Sequence, residues 1–237
     1  MLSEALAAGA SVEAVFVEPG RMSGADQRVI EAAADAGVTI HELDEGVAHR
    51  VGSSTAPQAV LAVIGMVDVG LEQLSADGLV IVCSQVADPG NMGTVLRSSE
   101  AAGAIGVVCA AGSVDLYNSK CVRASAGALF HIPVVVGDET VNVLEQLSGR
   151  GLRCVGTSAT GGEPLWTADL SGPVAVLVGN EAHGLGDEVV SLLDGMISIP
   201  ISGRSESLNV GVAASVMAFE AARQRQLARD SKLGRDG

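Results

Sequence analysis

The sequence predicts an α/β protein in which a small α/β unit precedes a larger one built on a mostly parallel sheet. From Leu79 onward, short continuous apolar runs alternate with segments of helical length, which is typical of parallel strands covered by helices on both faces. A shorter alternation of the same kind fills residues 1–64. Residues 65–78 lie between the two and carry three glycines, Gly65, Gly70 and Gly78, so we expect a linker there.

The small unit, residues 1–64, is predicted to contain three helices and three strands. A first helix at 2–8 leads to a strand at 12–17. A second helix, at about 25–36, is followed by Gly37, a residue type that favours a helix C-terminus. A strand at 38–43, a short helix and an apolar run at 59–64 complete the unit. The unit is distinctly acidic, with nine Asp or Glu residues against three Lys or Arg residues.

The larger unit, residues 79–228, is predicted to hold six buried strands with helices between them. The strands are apolar runs at 79–83, 105–110, 132–136, 152–158, 174–178 and 196–199. The helices lie at 92–102, about 117–126, 141–147, 186–193 and 208–226. Residues 229–237 are mostly polar, and we expect them to form a tail.

Composition narrows the possible functions. Hydrophobic residues make up 48% of the 237 residues, enough for a buried core, but aromatic residues make up only 2%. A protein that stacks single-stranded bases on aromatic side chains needs more of them. The four cysteines (Cys83, Cys109, Cys121 and Cys154) lack the spacing of a metal site, so we expect reduced core thiols and no metal. Because neither a membrane span nor a signal-peptide pattern is visible, we expect a cytoplasmic protein with no membrane contact.

The net charge of −14 argues against nucleic acid as a partner, since binding to phosphates needs Lys and Arg. The charge is unevenly distributed, however. Residues 221–237 hold five Lys or Arg residues against two acidic ones. Four more basic residues, Arg97, Lys120, Arg123 and Arg204, lie in the larger unit. A local basic patch on an otherwise acidic protein can bind RNA.

Three loops of the larger unit carry polar residues, and each follows a predicted strand. Ligands of open α/β sheets bind at the carboxyl ends of the strands. In the first loop, residues 88–97, we expect Pro89 and Gly90 to form a turn and Asn91 to cap the following helix. Arg97 then lies about a turn and a half into that helix. From this segment alone, Arg97 is equally well a solvated surface residue.

The second loop, residues 177–186, contains three glycines, which permit a close approach of the backbone to a ligand. Its Glu181 and His183 can be acid–base groups or metal ligands, although a lone histidine in such a loop is more often solvated. The third loop, residues 199–209, opens the last helix. Its Ser205, Ser207 and Asn209 include plausible capping residues.

The order and spacing of the three loops resemble the three motifs of the SpoU (TrmH-like) family of SPOUT RNA 2′-O-ribose methyltransferases. The matching patterns are Asn-x-Gly-x-x-x-Arg at 91–97, Gly-Asn-Glu-x-x-Gly-Leu at 179–185 and Ile-Pro-x-x-Gly-x-x-x-Ser-Leu-Asn-Val-x-x-Ala at 199–213. Residues 1–64 resemble the small ribosomal-protein-like substrate-binding domain that precedes the methyltransferase domain in ribosomal RNA members. The family's first strand precedes the residues matching 2–8, so we expect a truncated N-terminus.

The resemblance implies a C-terminal trefoil knot, although knots are nearly absent from other proteins. It implies that S-adenosylmethionine, without a metal, binds in the knot, held largely by backbone groups, and that a side chain at Gly179 would collide with it. It also implies a homodimer, to which the helix at 208–226 contributes. The cofactor-binding residues carried over by position are Thr157, Ser158, Ala159, Leu177, Gly179, Asn180, Ile199, Ile201, Ser207 and Leu208.

The resemblance further implies methyl transfer to a ribose 2′-hydroxyl of RNA, with Arg97 near that hydroxyl. Arginine stays charged in proteins, so we expect Arg97 to orient the target phosphate and hydroxyl rather than to act as a base. Four further residues, Asn91, Glu181, Ser207 and Asn209, are expected to position Arg97, the ribose and the polar end of the cofactor.

The choice of RNA is left open by the sequence. The small unit favours ribosomal RNA, but transfer RNA is an alternative substrate. A non-catalytic RNA-binding or ribosome assembly factor on the same fold is a second alternative, which predicts damaged motifs. A small-molecule methyltransferase suits the acidic charge but not the three loops.

Overall fold

The computed structural model describes residues 1–51 and 58–233, and the chain divides into two compact units between Val67 and Asp68. The first unit contains a three-stranded sheet of order β2-β1-β3 in its described part. Strand β1 is parallel to β2 and antiparallel to β3. The elements of the first unit are α1 (Leu2–Ala7), β1 (Val12–Val17), α2 (Gly24–Asp35), β2 (Thr39–Glu42), α3 (Val47–Val51) and β3 (Val60–Ile64).

Helix α2 shows why this unit folds as the sequence predicts. Ser23 and Asp26 form a reciprocal capping box, with the Ser23 amide donating to Asp26 Oδ2 at 2.8 Å. Gly37 follows the helix with a φ of +80°, a left-handed conformation that favours glycine. The helix packs Ala33 against Val15 and Val17 of β1 in the small core.

The second unit contains a seven-stranded sheet of order β6-β5-β4-β9-β7-β10-β8. Every strand pairing in it is parallel, which confirms the predicted fold class. The strands are β4 (Leu79–Cys83), β5 (Gly106–Cys109), β6 (Val134–Val136), β7 (Arg153–Ser158), β8 (Glu163–Pro164), β9 (Val174–Val178) and β10 (Gly195–Ser198). The helices are α4 (Pro89–Ala101), α5 (Ser119–Ala124), α6 (Thr140–Gly149), α7 (Asp187–Ser191) and α8 (Val210–Leu233).

The start of α4 differs from the prediction. Asn91 does not cap the helix. Asp88 does, because its Oδ1 accepts a hydrogen bond from the Asn91 amide at 2.9 Å. Pro89 occupies the first helical position, where its missing N–H costs no hydrogen bond. The Asn91 side chain is therefore available for other contacts, and Arg97 lies more than two turns into the helix.

Small residues bring two helices close to α4. A Cβ atom on Gly93 would lie 2.9 Å from the Cys121 carbonyl oxygen of α5. A Cβ atom on Gly211 in α8 would lie 3.1 Å from the Thr94 Cβ atom of α4. Gly93 thus leaves no room for a side chain against the backbone of α5, and Gly211 permits a close approach of α8 to α4.

Most of the predicted linker is fixed to the second unit. The Val69 amide donates to the Val134 carbonyl at 2.8 Å, and the Tyr117 hydroxyl donates to Asp68 Oδ1 at 2.6 Å. Arg150 donates to the carbonyl oxygens of Leu71 and Leu74. At the other end of the chain, 229–233 continue helix α8, and residues 234–237 of the predicted tail lie outside the described residues.

The four cysteines are buried free thiols, as expected. Burial raises the pKa of Cys109 and of Cys154 to about 11, and that of Cys121 to about 12. A thiol with so high a pKa is a poor nucleophile at neutral pH. Within the described residues, none of the helices is both long and apolar enough to cross a membrane.

Candidate functional site

The three loops meet at one edge of the parallel sheet. Strands β4, β9, β7 and β10 are neighbours in the sheet, and their carboxyl ends share one edge because all their pairings are parallel. A cavity of about 600 Å³ opens there, a volume within the range of small-molecule sites. It is lined by Thr157, Ser158, Ala159, Thr160, Gly179, Asn180, Glu181, Ala182, Gly184, Ile199, Ile201, Glu206, Ser207, Leu208, Asn209, Val210, Ala213 and Met217.

Nine of the ten residues predicted to bind the cofactor line this cavity. They come from the end of β7, from the second loop and from the third loop, which are far apart in the sequence. Leu177 is the exception. It is fully buried in the core of the sheet, packed in a cluster that includes Val80 and Val82, so its side chain does not face the cavity.

A chain of side-chain hydrogen bonds joins all three loops. Asn91 Nδ2 donates to Glu181 Oε1 at 2.8 Å, and Asn209 Nδ2 donates to Asn91 Oδ1 at 2.8 Å. Asn209 Oδ1 accepts from the amides of Gly211 and Val212 at 2.9 and 3.2 Å, so Asn209 also caps α8. The structure thus brings together three of the five predicted catalytic residues. We call these three hydrogen-bonded side chains, Glu181–Asn91–Asn209, the polar relay.

Glu181 is held as a carboxylate. Partial burial raises the pKa of Glu181, but hydrogen bonds from Asn91 and from the backbone outweigh it and hold the pKa below its usual value. The backbone donors are the amides of Ala87 and Asp88, at 3.3 and 3.4 Å. An ionised carboxylate whose oxygens already accept hydrogen bonds suits positioning better than acid–base work.

Asn180 connects the second loop to the segment between β4 and the first loop. Its Nδ2 donates to the Gln85 carbonyl at 3.0 Å, and its Oδ1 accepts from the amides of Ala182 and His183 at 2.9 and 3.2 Å. Gln85 has a φ of +58°, a left-handed conformation that costs energy in a residue other than glycine. The backbone of the loop after β4 is therefore strained where Asn180 holds it.

Gly179 is required by the loop itself. A Cβ atom at this position would lie 2.5 Å from the Gly184 carbonyl oxygen and 2.9 Å from the Leu185 amide nitrogen. The expectation that a side chain at Gly179 would collide with the cofactor is therefore incomplete, because it would first collide with the backbone of the second loop.

Arg97 and Ser207 are placed differently from the polar relay. Ser207 lines the cavity and is exposed. Arg97 does not line it, and its exposed side chain makes no hydrogen bond or ion pair with any described residue. Arg97 lies four residues after Gly93 and so on the α5 side of α4. On α5 itself, Lys120 and Arg123 are exposed. We call these three basic residues the α4–α5 surface.

Other predicted basic residues are engaged elsewhere. Arg223 donates two hydrogen bonds to Glu220, at 2.8 and 2.6 Å, and Arg225 donates to the carbonyl oxygens of Leu170 and Gly172. These contacts leave fewer guanidinium N–H donors in the basic C-terminal segment for binding a phosphate. Arg204 is exposed in the third loop and does not line the cavity.

Several lining residues were missed at the sequence level. Val210, Ala213 and Met217 line the cavity from one face of α8, and their helical spacing would have revealed them once the helix start was fixed. Thr160, Ala182 and Gly184 extend segments that were predicted correctly. Glu206 precedes Ser207 in the third loop and carried no separate signal.

The cavity is suited to a cationic ligand. Two carboxylates, Glu181 and Glu206, line it, and none of its described lining residues is Lys, Arg or His. A dinucleotide or nucleoside triphosphate would place phosphates in such a site without a counter-charge. S-Adenosylmethionine, a nucleoside with a sulfonium, fits both the volume and the charge. Among the described residues, no group of three or more His, Cys, Asp or Glu side chains could hold a metal ion.

Family profiles match both units. The SpoU rRNA methylase family matches residues 78–219, and a profile described as RNA 2′-O ribose methyltransferase substrate binding matches residues 1–69. A Bacillus subtilis relative, the 23S rRNA (guanosine(2553)-2′-O)-methyltransferase RlmP, is 31% identical over 92% of this chain and 84% of its own length.

Solved structures share the fold. The SpoU methyltransferase AviRb from Streptomyces viridochromogenes, in complex with AdoMet, has a TM-score of 0.82 at 28% identity, over 94% of this chain and 87% of its own. The A. aeolicus TrmH/SpoU tRNA modifying enzyme has a TM-score of 0.59 at 27% identity and covers 67% of this chain and 80% of its own. With profiles matching both units and a relative 31% identical across nearly its whole length, the protein belongs to the SpoU rRNA methylase family, as its three loops predicted.

Proposed function

We propose that this member of the family methylates a ribose 2′-hydroxyl of ribosomal RNA, using S-adenosylmethionine bound in the cavity at the sheet edge. The observation that carries the proposal is the polar relay, which joins the three loops beside a cavity suited to a cationic nucleoside. A non-catalytic assembly factor would have no need to keep this relay intact.

The chain provides a cofactor site built mainly from backbone and apolar groups. Thr157 to Thr160 and the second loop offer backbone donors and acceptors, while Ile199, Ile201 and Leu208 form apolar walls. Adenine can be recognised by such a set without a charged side chain. When bound, S-adenosylmethionine supplies an electrophilic methyl group on a sulfonium. The trefoil knot stays a prediction from the resemblance.

The polar relay and Ser207 position the reacting groups in this proposal. Glu181 and Asn209 line the cavity, and Asn91 holds them at a fixed separation through both atoms of its amide. Ser207 lines the same wall and offers a hydroxyl to the ribose or to the polar end of the cofactor. Preorganised polar groups stabilise a transition state because they need not reorient during the reaction.

Arg97 engages the RNA in this proposal. Its guanidinium is exposed and unpaired among the described residues, and its planar fork suits a phosphate together with a hydroxyl. It cannot accept the proton of the 2′-hydroxyl, because it is always charged. Arg97 therefore orients the nucleophile, and the proton leaves to water or to the phosphate. Lys120 and Arg123 on the α4–α5 surface bind neighbouring phosphates.

Two findings favour ribosomal over transfer RNA. The relative named for 23S rRNA matches 92% of the chain. The solved tRNA-modifying relative covers only 67% of it. Ribosomal RNA is present where ribosomes are made, which agrees with the predicted cytoplasmic location.

A homodimer is also part of the proposal. Helix α8 exposes Val212, Phe219 and Leu227, and Trp166 beside it is 58% exposed. Trp166 and Phe219 line one shallow groove with Ser215, Val216, Glu220 and Arg223. An apolar stripe along one helix is typical of a self-complementary interface. Light scattering at micromolar concentration should give twice the chain mass of 23.8 kDa. Phe219→Asp should shift the mass toward one chain, while Leu192→Asp, at an exposed position directly after α7, should not.

The direct test is methylation of RNA in vitro. Purified protein, labelled S-adenosylmethionine and either ribosomal or transfer RNA from cells lacking the gene should yield 2′-O-methyl groups at defined ribosomal positions. Methylation of transfer RNA alone would favour the tRNA alternative. Cofactor binding without methylation of either RNA would favour the non-catalytic alternative.

A further inference from the structure

The two carboxylates of the cavity differ in whether they accept hydrogen bonds from other residues. Glu181 accepts hydrogen bonds from Asn91 and from the amides of Ala87 and Asp88. Glu206 lies in the third loop, lines the same cavity and is exposed. It makes no hydrogen bond or ion pair with any described residue. Glu206 is therefore the carboxylate that remains available to a ligand.

The nearest basic residue in the sequence does not cancel this charge. Arg204 lies two residues before Glu206, is exposed, and forms no ion pair within the described part of the chain. It is also absent from the cavity lining, which has no basic side chain in its described part. The negative charge of the cavity thus acts on a bound ligand without a compensating protein cation.

Substrate and product of methyl transfer differ in charge. S-Adenosylmethionine carries a sulfonium, an α-ammonium and a carboxylate, a net charge of about +1 near neutral pH, because carboxylates are ionised and amines protonated there. S-Adenosylhomocysteine has lost the sulfonium charge and is close to neutral. We propose that Glu206 is a specificity-determining residue that makes the cavity favour the charged cofactor over its spent product. This rests on the proposed function, in which the cavity is the cofactor site.

The expected size of the effect follows from Coulomb's law. A unit charge pair about 6 Å apart in a well-solvated cavity, at an effective dielectric constant of about 40–80, changes an affinity by about three- to tenfold. The effect favours release of the product after each turnover. It should weaken as salt rises, because Glu206 is exposed and mobile ions screen it.

Calorimetry on the full chain tests the assignment. We expect Glu206→Gln to weaken binding of S-adenosylmethionine about three- to tenfold and binding of S-adenosylhomocysteine less than twofold. Sinefungin, which carries an amine cation in place of the methyl sulfonium, should behave like S-adenosylmethionine. Glu145→Gln removes the same charge from an exposed position on α6 and should change neither affinity. In the parent, the preference for the charged ligand should fall between 50 mM and 500 mM salt.

The outcomes separate this inference from the proposed function. Equal changes in the two affinities for Glu206→Gln, or no change in either, would overturn the role of Glu206 and leave the cofactor site in place. A parent chain that binds neither ligand would overturn the proposed function and the inference together. Binding that Ala213→Leu does not weaken would place the cofactor outside this cavity and would also overturn both.

Discussion

The cofactor cavity and the α4–α5 surface lie close to the same helix but differ in how firmly their polar side chains are held. Asn91 uses both atoms of its amide in hydrogen bonds to Glu181 and Asn209. Arg97, six residues further along α4, makes no such contact with the described residues. The cavity is therefore preorganised, whereas in the proposed function the basic surface is ordered by the bound RNA. Energy for positioning Arg97 then comes from substrate binding rather than from folding.

The largest expected effect is at Arg97, whose side chain is not held by hydrogen bonds to the described residues. Arg97→Ala should leave cofactor affinity unchanged and lower the single-turnover rate of RNA methylation by about 10²–10³, about 3–4 kcal/mol, because a charge-assisted contact to the reacting centre is lost. Arg97→Lys should not restore the rate, since an ammonium lacks the planar fork. Activity of Arg97→Ala within threefold of the parent would make Arg97 a solvated surface residue.

The preorganised cavity is tested by a substitution that fills part of it. Ala213 is half-buried and lines the cavity from α8, so Ala213→Leu should place extra carbon atoms where the cofactor lies. Overpacking of this kind costs about 1–3 kcal/mol, which corresponds to roughly a five- to 150-fold loss of affinity for S-adenosylmethionine. Titration calorimetry measures this loss of affinity.

A matched control keeps this result interpretable. Ala228→Leu makes the same change in the same helix at a position that does not line the cavity. It should leave cofactor affinity unchanged. Equal losses in the two variants would mean that α8 was disturbed as a whole. Gly179→Val is the poorer test, because the added side chain would displace the backbone of Gly184 before it reached any ligand.

The polar relay itself predicts a coupling between two loops. Asn91→Ala removes the donor and Glu181→Ala removes the acceptor of the 2.8 Å hydrogen bond. Their effects on the methylation rate should not add, with a coupling of about 0.5–3 kcal/mol in a double-mutant cycle. The pair Arg97→Ala and Glu145→Gln, which share no contact with each other, should add. Additive behaviour of Asn91 and Glu181 would mean that the hydrogen bond does not act in the reaction.

The strands show what the sequence predicts well. The strands at Val12–Val17, Leu79–Cys83 and Val174–Val178 have the predicted bounds. The last two are continuous apolar runs, and the first is interrupted only by Glu13. Strand β8, Glu163–Pro164, was missed because two exposed residues carry no apolar pattern and pair only with β10. The start of α4 was misplaced because Pro-Gly is common both in turns and in a first helical turn.

The motifs selected residues that the structure brings together, but they did not predict the contacts among them. Motif spacing brought out Asn91, Glu181 and Asn209, yet the hydrogen bonds among them span 90 and 118 residues. Periodicity cannot reveal such pairings, since they depend on how parallel strands place distant loops at one edge. The same holds for Arg225 in the basic C-terminal segment, which donates to the distant carbonyl oxygens of Leu170 and Gly172.

The smallest expected effect concerns the pH dependence of the polar relay. Hydrogen bonds from Asn91 and two backbone amides, set against partial burial, hold the pKa of Glu181 below its ordinary value of 4.5. A carboxyl whose pKa is lower in the folded state stabilises that state above the unfolded pKa, and the contribution is lost as pH falls through the folded pKa.

The thermal midpoints of the parent and of Glu181→Gln should therefore differ by a constant amount between pH 8 and pH 6. The difference should shrink as pH falls below about 4.5, where the carboxyl of the unfolded parent takes up a proton first, and the contribution should be lost once the folded carboxyl is protonated as well. Differential scanning calorimetry in matched buffers measures both midpoints, and Glu145→Gln corrects for the loss of one exposed charge. A midpoint difference that stays constant from pH 8 to pH 3 would show that Glu181 is not held as a carboxylate by the relay.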